Sequence, residues 1–353
     1  METKRTEQRA DIRAARLEEI VVGGLRIGFQ RTVRVPAGQT NPLPAGLGNF
    51  PIYKVSDFSE RAPKDWRDPN AYFMPMYVQE ALWVSFPQRF GFENPHALVV
   101  GAGHINAVTG KPFEETKKAK KGKWSFDASL QKDEQNYLVV PPQPWLDGWK
   151  SPDGKVYQFV SAQMGSGLTV EGQITGEEKF GGIQLTVHSP KPGQDLVVSR
   201  RPREYLESGG WSGGFGGNTL SALSALTRSY ETMEAHAAKE PVYASLREQP
   251  KKPRSINSIR SMGLGRGGEI EQKIYPDPHG CDVWDAEPAG RATIYLVNSE
   301  DFEKITGQAP PQTPITIKTY QQCGMPWFLL PDGSWKDTAG SDVFGKLKPV
   351  VEK

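Results

Sequence analysis

The sequence predicts a mainly β protein: an antiparallel β-sandwich or jelly-roll-like core with a helical insertion and short C-terminal helices. Three observations carry this. Apolar residues recur with a period of two in several short runs, the mark of half-buried strands. Glycine (37) and proline (29) are abundant among 353 residues, which favours turns over long helices. Asp-Gly pairs punctuate the stretch 139–188, the centre of the predicted core.

In chain order, residues 6–20 read as a short helix, with Ala10, Ala14, Leu17 and Val21 as a weak stripe among alternating charges. After Gly23-Gly24, the residues Leu25, Ile27, Phe29, Val33 and Val35 share one face of a strand. A proline-rich loop fills 36–70. Met74 to Phe86 is apolar on both faces and reads as one central strand with Pro75 at its start. Residues 97–100 form another strand, and 111–135 a long exposed loop. Asp147-Gly148, Asp153-Gly154 and Asp332-Gly333 read as turns, with strands at 156–162, 168–175 and 183–188.

The pattern then changes. Residues 1–200 read as the first part of the β-rich core, 201–260 as the insertion and 261–353 as the second part of the core. The insertion opens on the tether ESGGWSGGFGGN (207–218), after which Leu220, Leu223, Leu226, Tyr230 and Met233 give a helical stripe that ends before Pro241. Strands return around Ile270, Gln272 and Ile274 and at 292–297. Two short helices follow, one capped by Ser299 and ending at Gly307, the other running from Thr313-Pro314 to Gly324.

Several motifs that point to chemistry fail on context. Gly101-Ala102-Gly103 follows a strand, but Thr109-Gly110-Lys111-Pro112 leaves no room for the helix a dinucleotide site needs. Gly263, Gly265 and Gly268 match G-x-G-x-x-G, yet a strand pattern follows them, so they read as a glycine loop feeding a strand. Asp277, His279, Cys281, Asp282 and Asp285 lack the spacing of a zinc or calcium site, so neither metal nor cofactor is expected. Gly165-Ser166-Gly167 has Met164 and Leu168 where a nucleophile elbow needs glycine. Lys117, Lys118, Lys120, Lys121 and Lys123, beside Trp124, form a basic run. The net charge of only +2 makes a nucleic-acid partner unexpected.

Three readings of function remain, the third being a phosphate-surface binder that uses the lysine loop and whose binding falls steeply with salt. The first is a non-enzymatic binding or self-assembling protein, contacting copies of itself or another protein through the inserted helix and the loop rim. The second is a carbohydrate-active hydrolase that uses Glu171, Glu269 and Glu271, with Trp145, Trp149 and Trp284 as ligand-stacking rings. Cys281 and Cys323 read as ordinary thiols. Residues 1–20 lack an apolar signal region and no stretch suits a transmembrane helix, so a cytoplasmic location is expected; export without a sequence signal stays open.

The stretches ALWVSF (81–86), INAVTG (105–110), PPQPWLDG (141–148), GQITGEEKFGGIQL (172–185), MGLGRGGEIEQKIYPDPHG (262–280) and MPWF (325–328) together resemble an uncharacterised protein family of bacteria and fungi. Members of that family often carry the label "integral membrane protein". The resemblance implies no activity and no catalytic residue.

Overall fold

In the computed structural model, the described residues are 15–66, 68, 70–87, 94–115, 126–152, 154–194, 196, 261–325, 327–328 and 336–350. They form a mainly β structure built on one large, mostly antiparallel sheet. Its principal strands are β1 (Glu19–Val22), β2 (Leu25–Thr32), β3 (Ala71–Met76), β4 (Ala81–Ser85), β5 (His96–Ala102), β6 (Lys155–Gln163), β7 (Ile183–His188), β8 (Ser261–Glu271) and β9 (Gly290–Asn298). The hydrogen-bonded order is β1-β2-β4-β6-β8-β9-β7-β5, closed by the short strand Ile105–Asn106. β3 adds in parallel to β9, with Thr293 opposite Ala71 and Asn298 opposite Met76.

The sheet curls, so that β1 comes round against β7 and β9. Gly23, with φ +54° in the turn after β1, approaches Gly290 so closely that a Cβ would lie 2.9 Å from its nitrogen. One core fills the space between the two walls of this sandwich-like fold. It includes Ile27 and Phe29 of β2, Val84 of β4, Val100 of β5, Phe159 of β6, Leu185 of β7 and Ile294 of β9. Each such side chain contributes about 1.5–3 kcal/mol by leaving water. The odd-numbered face predicted for 25–35 is the face that is buried.

Several expectations need correction. The described end of the predicted 6–20 helix is the edge strand β1, which makes a hairpin with β2 across Gly23-Gly24. Met74 to Phe86 is two strands, β3 and β4, separated by a turn in which Gln79 has φ +69°. Pro75 lies inside β3. The outer neighbour of β3, Tyr53–Lys54, reaches only Phe73, so at Pro75 that edge is open and a missing N–H breaks no ladder there. Residues 170–175 form not a strand but a short helix, α1 (Val170–Thr175). The Thr169 hydroxyl accepts from Gly172 N at its start, and Gly176 ends it at φ +79°. Its Val, Ile and Thr residues gave it the look of a strand.

Asp147-Gly148 is not a turn. The chain passes here from pairing with β4 (Trp145–Leu146) to pairing with β6 (Gly148–Ser151). Gly148 is needed because a Cβ would lie 1.9 Å from Tyr157 O. The glycine motif at 263–268 is itself the middle of β8, not a loop before a strand. A Cβ at Gly265 would lie 2.5 Å from Leu168 O, and one at Gly268 would lie 2.2 Å from Pro36 O. Neighbouring segments therefore cross β8 at backbone distance.

The helices after β9 are α2 (Ser299–Thr306) and α3 (Ile317–Gln322). Asn298, one residue before the expected Ser299, caps α2 by accepting from Glu300 N. Thr316 caps α3, which begins later than Pro314 predicts. Residues 336–350 then strap the sheet. Lys150, fully buried, places its ammonium 2.5 Å from Asp337. Phe344 packs 5.2 Å from Trp149, and Val350 N donates to Arg266 O. Among the described residues no helix is long and apolar enough to cross a membrane.

Candidate functional site

A concavity of about 480 Å³ opens where the β1–β2 turn, the start of β5 and the segment after β7 meet. Its size falls in the range of small-molecule sites. Asn94, His96, Ser189, Lys191 and Gln194 supply its polar wall, and among the described residues no acidic one lines it. Gly24 forms part of the floor at φ +90°, where a Cβ would sit 3.3 Å from His96 Nε2.

The wall at 189–194 is held in place by local sequence and by pairing. Lys191-Pro192-Gly193-Gln194 has proline second and glycine third, with φ +82° at Gly193, as a type II turn requires. Gln194 N closes the turn on Lys191 O at 3.1 Å. Behind it, Asp285 N donates to Ser189 O and Lys191 N to Val283 O, both at 2.9 Å. The Lys191 ammonium donates to the backbone carbonyl of Asp282 at 2.7 Å. The Asp282 carboxylate itself is engaged by Lys132 at 2.7 Å. Lys191 therefore contributes a positive charge beside the cavity with a neutral oxygen as its hydrogen-bond partner.

The three carboxylates considered for hydrolysis have other duties. Glu171 lies buried on α1, and its oxygens accept from Lys179 N, Phe180 N and Gly181 N, each at 2.8 Å. Glu269 accepts from the Thr40 hydroxyl and lies 2.9 Å from Lys155 Nζ. Burial alone would raise the Glu269 carboxyl, but the bonds from Thr40 and Lys155 outweigh it and hold the group below the usual range. Glu271 sits exposed at the end of β8, opposite Lys155 in register.

The three tryptophans expected to stack a ligand are enclosed instead. Trp145, Trp149 and Trp284 are only 3%, 0% and 2% exposed. Their indole N–H groups are directed inward, Trp145 to Asp147 Oδ2, Trp149 to Gly265 O and Trp284 to Asp277 Oδ2. In a β core this is the ordinary use of such rings. Asp277, the first acid of the 277–285 cluster, also accepts from the Tyr137 hydroxyl at 2.7 Å and so anchors a polar turn. Among the described residues no group of three or more His, Cys, Asp or Glu side chains could hold a metal.

Two further titratable groups have unusual surroundings. Asp147 is 1% exposed; only one of its oxygens, Oδ2, receives a hydrogen bond, while Oδ1 has no partner among the described residues. Burial pushes its carboxyl up to about 8. His104 has φ +59° and stacks flat on Phe180 at 3.6 Å, and burial lowers it to about 4, so it is neutral at pH 7.

Leu220, Leu223, Leu226, Tyr230 and Met233 lie outside the described residues, as does the lysine run 117–123. Sequence reading missed the cavity and Asp147. The Lys-Pro-Gly-Gln turn was a usable signal for the former. Asp147 was hidden behind its Asp-Gly turn chemistry. No protein-family model, curated protein or solved structure matches the chain.

Proposed function

We propose that this is a non-enzymatic binding or self-assembling protein that contacts copies of itself, or a protein partner, through the stripe Leu220, Leu223, Leu226, Tyr230 and Met233. The observation that carries this is the place of the 197–260 stretch. It leaves the sheet after β7 and returns at β8, and these two strands do not pair with each other. Both are held by β9, and β7 also by β5. The stretch therefore joins two strands that are each anchored elsewhere in the sheet, and its sequence carries an apolar stripe of the kind that docks a partner. The internal hydrogen bonds of Glu171 and Glu269 give the hydrolase reading no comparable support. Two free thiols, Cys281 and Cys323, accord with a cytoplasmic setting.

Native mass spectrometry of the full chain, compared with a variant in which 207–256 is replaced by a short Gly-Ser linker, tests the proposal. The full chain is expected to give a discrete oligomer or complex, and the deletion a folded monomer. An oligomer that survives the deletion unchanged, or a full chain that is monomeric without partners, overturns it.

A further inference from the structure

From the cavity beside Lys191 we infer a binding site for a small organic oxyanion, a molecule carrying a carboxylate or phosphate group. This inference is independent of the inserted stripe. Its basis is the charge balance and the rigidity of the wall. Lys191 brings a positive charge whose one hydrogen bond among the described residues goes to a carbonyl, leaving ammonium protons for a ligand. The carboxylate of Asp282, whose carbonyl takes that bond, is itself engaged by Lys132 at 2.7 Å. Asn94, Ser189 and Gln194 add neutral polar groups, and among the described residues no carboxylate lines the space to repel an anion.

Rigidity gives the second support. The type II turn and its bonds to Val283 and Asp285 fix the Lys191 backbone before any ligand arrives. The turn fixes the base of the Lys191 side chain and the bond to Asp282 O orients its ammonium, which leaves less freedom to lose on binding. The concavity is larger than a bare inorganic ion needs, so its remaining surface, including Leu25 and Val140, is there for the ligand's carbon skeleton. A charge-assisted hydrogen bond from Lys191 would anchor the oxyanion while these walls select its shape.

Isothermal titration of the full chain with citrate and, separately, with inorganic phosphate at matched ionic strength tests this. Saturable binding of one or both is expected, and which one binds distinguishes a carboxylate from a phosphate site. Lys191→Ala should weaken it roughly tenfold, the loss of one charged hydrogen bond. Asn94→Asp, which sets a negative charge in the wall, should weaken it as well, while Lys318→Ala on α3 should not. If neither anion binds saturably, or if both Lys191→Ala and Asn94→Asp bind as tightly as the parent, the site is not an oxyanion site. An anion-binding monomer would leave this inference standing while removing the assembly proposal.

Discussion

Glu171 and Asp147 are both acids taken out of water, 4% and 1% exposed, and the fold treats them in opposite ways. At the start of α1, three backbone N–H groups of residues 179–181 converge on Glu171. At the crossover between β4 and β6, Asp147 receives a single side-chain donor, the Trp145 indole. The first site directs three backbone N–H groups at one carboxyl. The second does not, and its carboxyl rises to about 8. Three backbone donors reach the Glu171 carboxylate, whereas one side-chain donor reaches that of Asp147.

The largest expected effect sharpens the Asp147 side. Its folded value lies above the ordinary 3.8, so its stabilising contribution is complete below about pH 4 and is lost as pH rises towards 8. Within that window the protein should lose up to about 1.4 kcal/mol of stability per pH unit from this group. Urea unfolding at pH 5, 6, 7 and 8 measures the slope. Asp147→Asn, which keeps the shape and cannot ionise, should flatten it and cost little at pH 5. An unchanged slope in that variant would break the contrast.

Next in size is Glu171→Ala, which strands three backbone donors and should destabilise by on the order of 4 kcal/mol. A loss below about 1 kcal/mol in denaturant unfolding would mean that water replaces the carboxylate without difficulty. The smallest effect belongs to Trp145→Phe, expected to cost about 2 kcal/mol through the lost indole donor and ring volume. Because that donor favours the charged form, its removal should also extend the pH-dependent loss beyond pH 8.

The sequence made the sheet legible where one face is buried and the other is not, as in β2. It was least legible where tertiary contact overrode local chemistry. Gly148 looks like half of a turn, yet it is glycine because Tyr157 passes against it. Gly265 and Gly268 imitate a phosphate loop for the same kind of reason, the close passage of Leu168 and Pro36. Met74 to Phe86 hid its turn because strands on both sides of Gln79 are apolar throughout. Of the candidate site, only the Lys-Pro-Gly-Gln turn could be read locally. The cavity is assembled from residues near 24, 94 and 190, which no local pattern relates.

The place of β9 has a consequence for the order in which the molecule can be made. One strand, 290–298, holds β3, β7 and β8, which lie far apart along the chain. A ribosome releases β3 and β7 long before it supplies the strand that joins them, whereas β8 ends at Glu271, shortly before β9 begins at Gly290. Until β9 emerges, the nascent chain carries β7 and β8 with long, unclosed loops and open edges. Assembly of this half of the sheet must therefore wait until residues 290–298 have been made, and strand edges left open before then are exposed to wrong pairing.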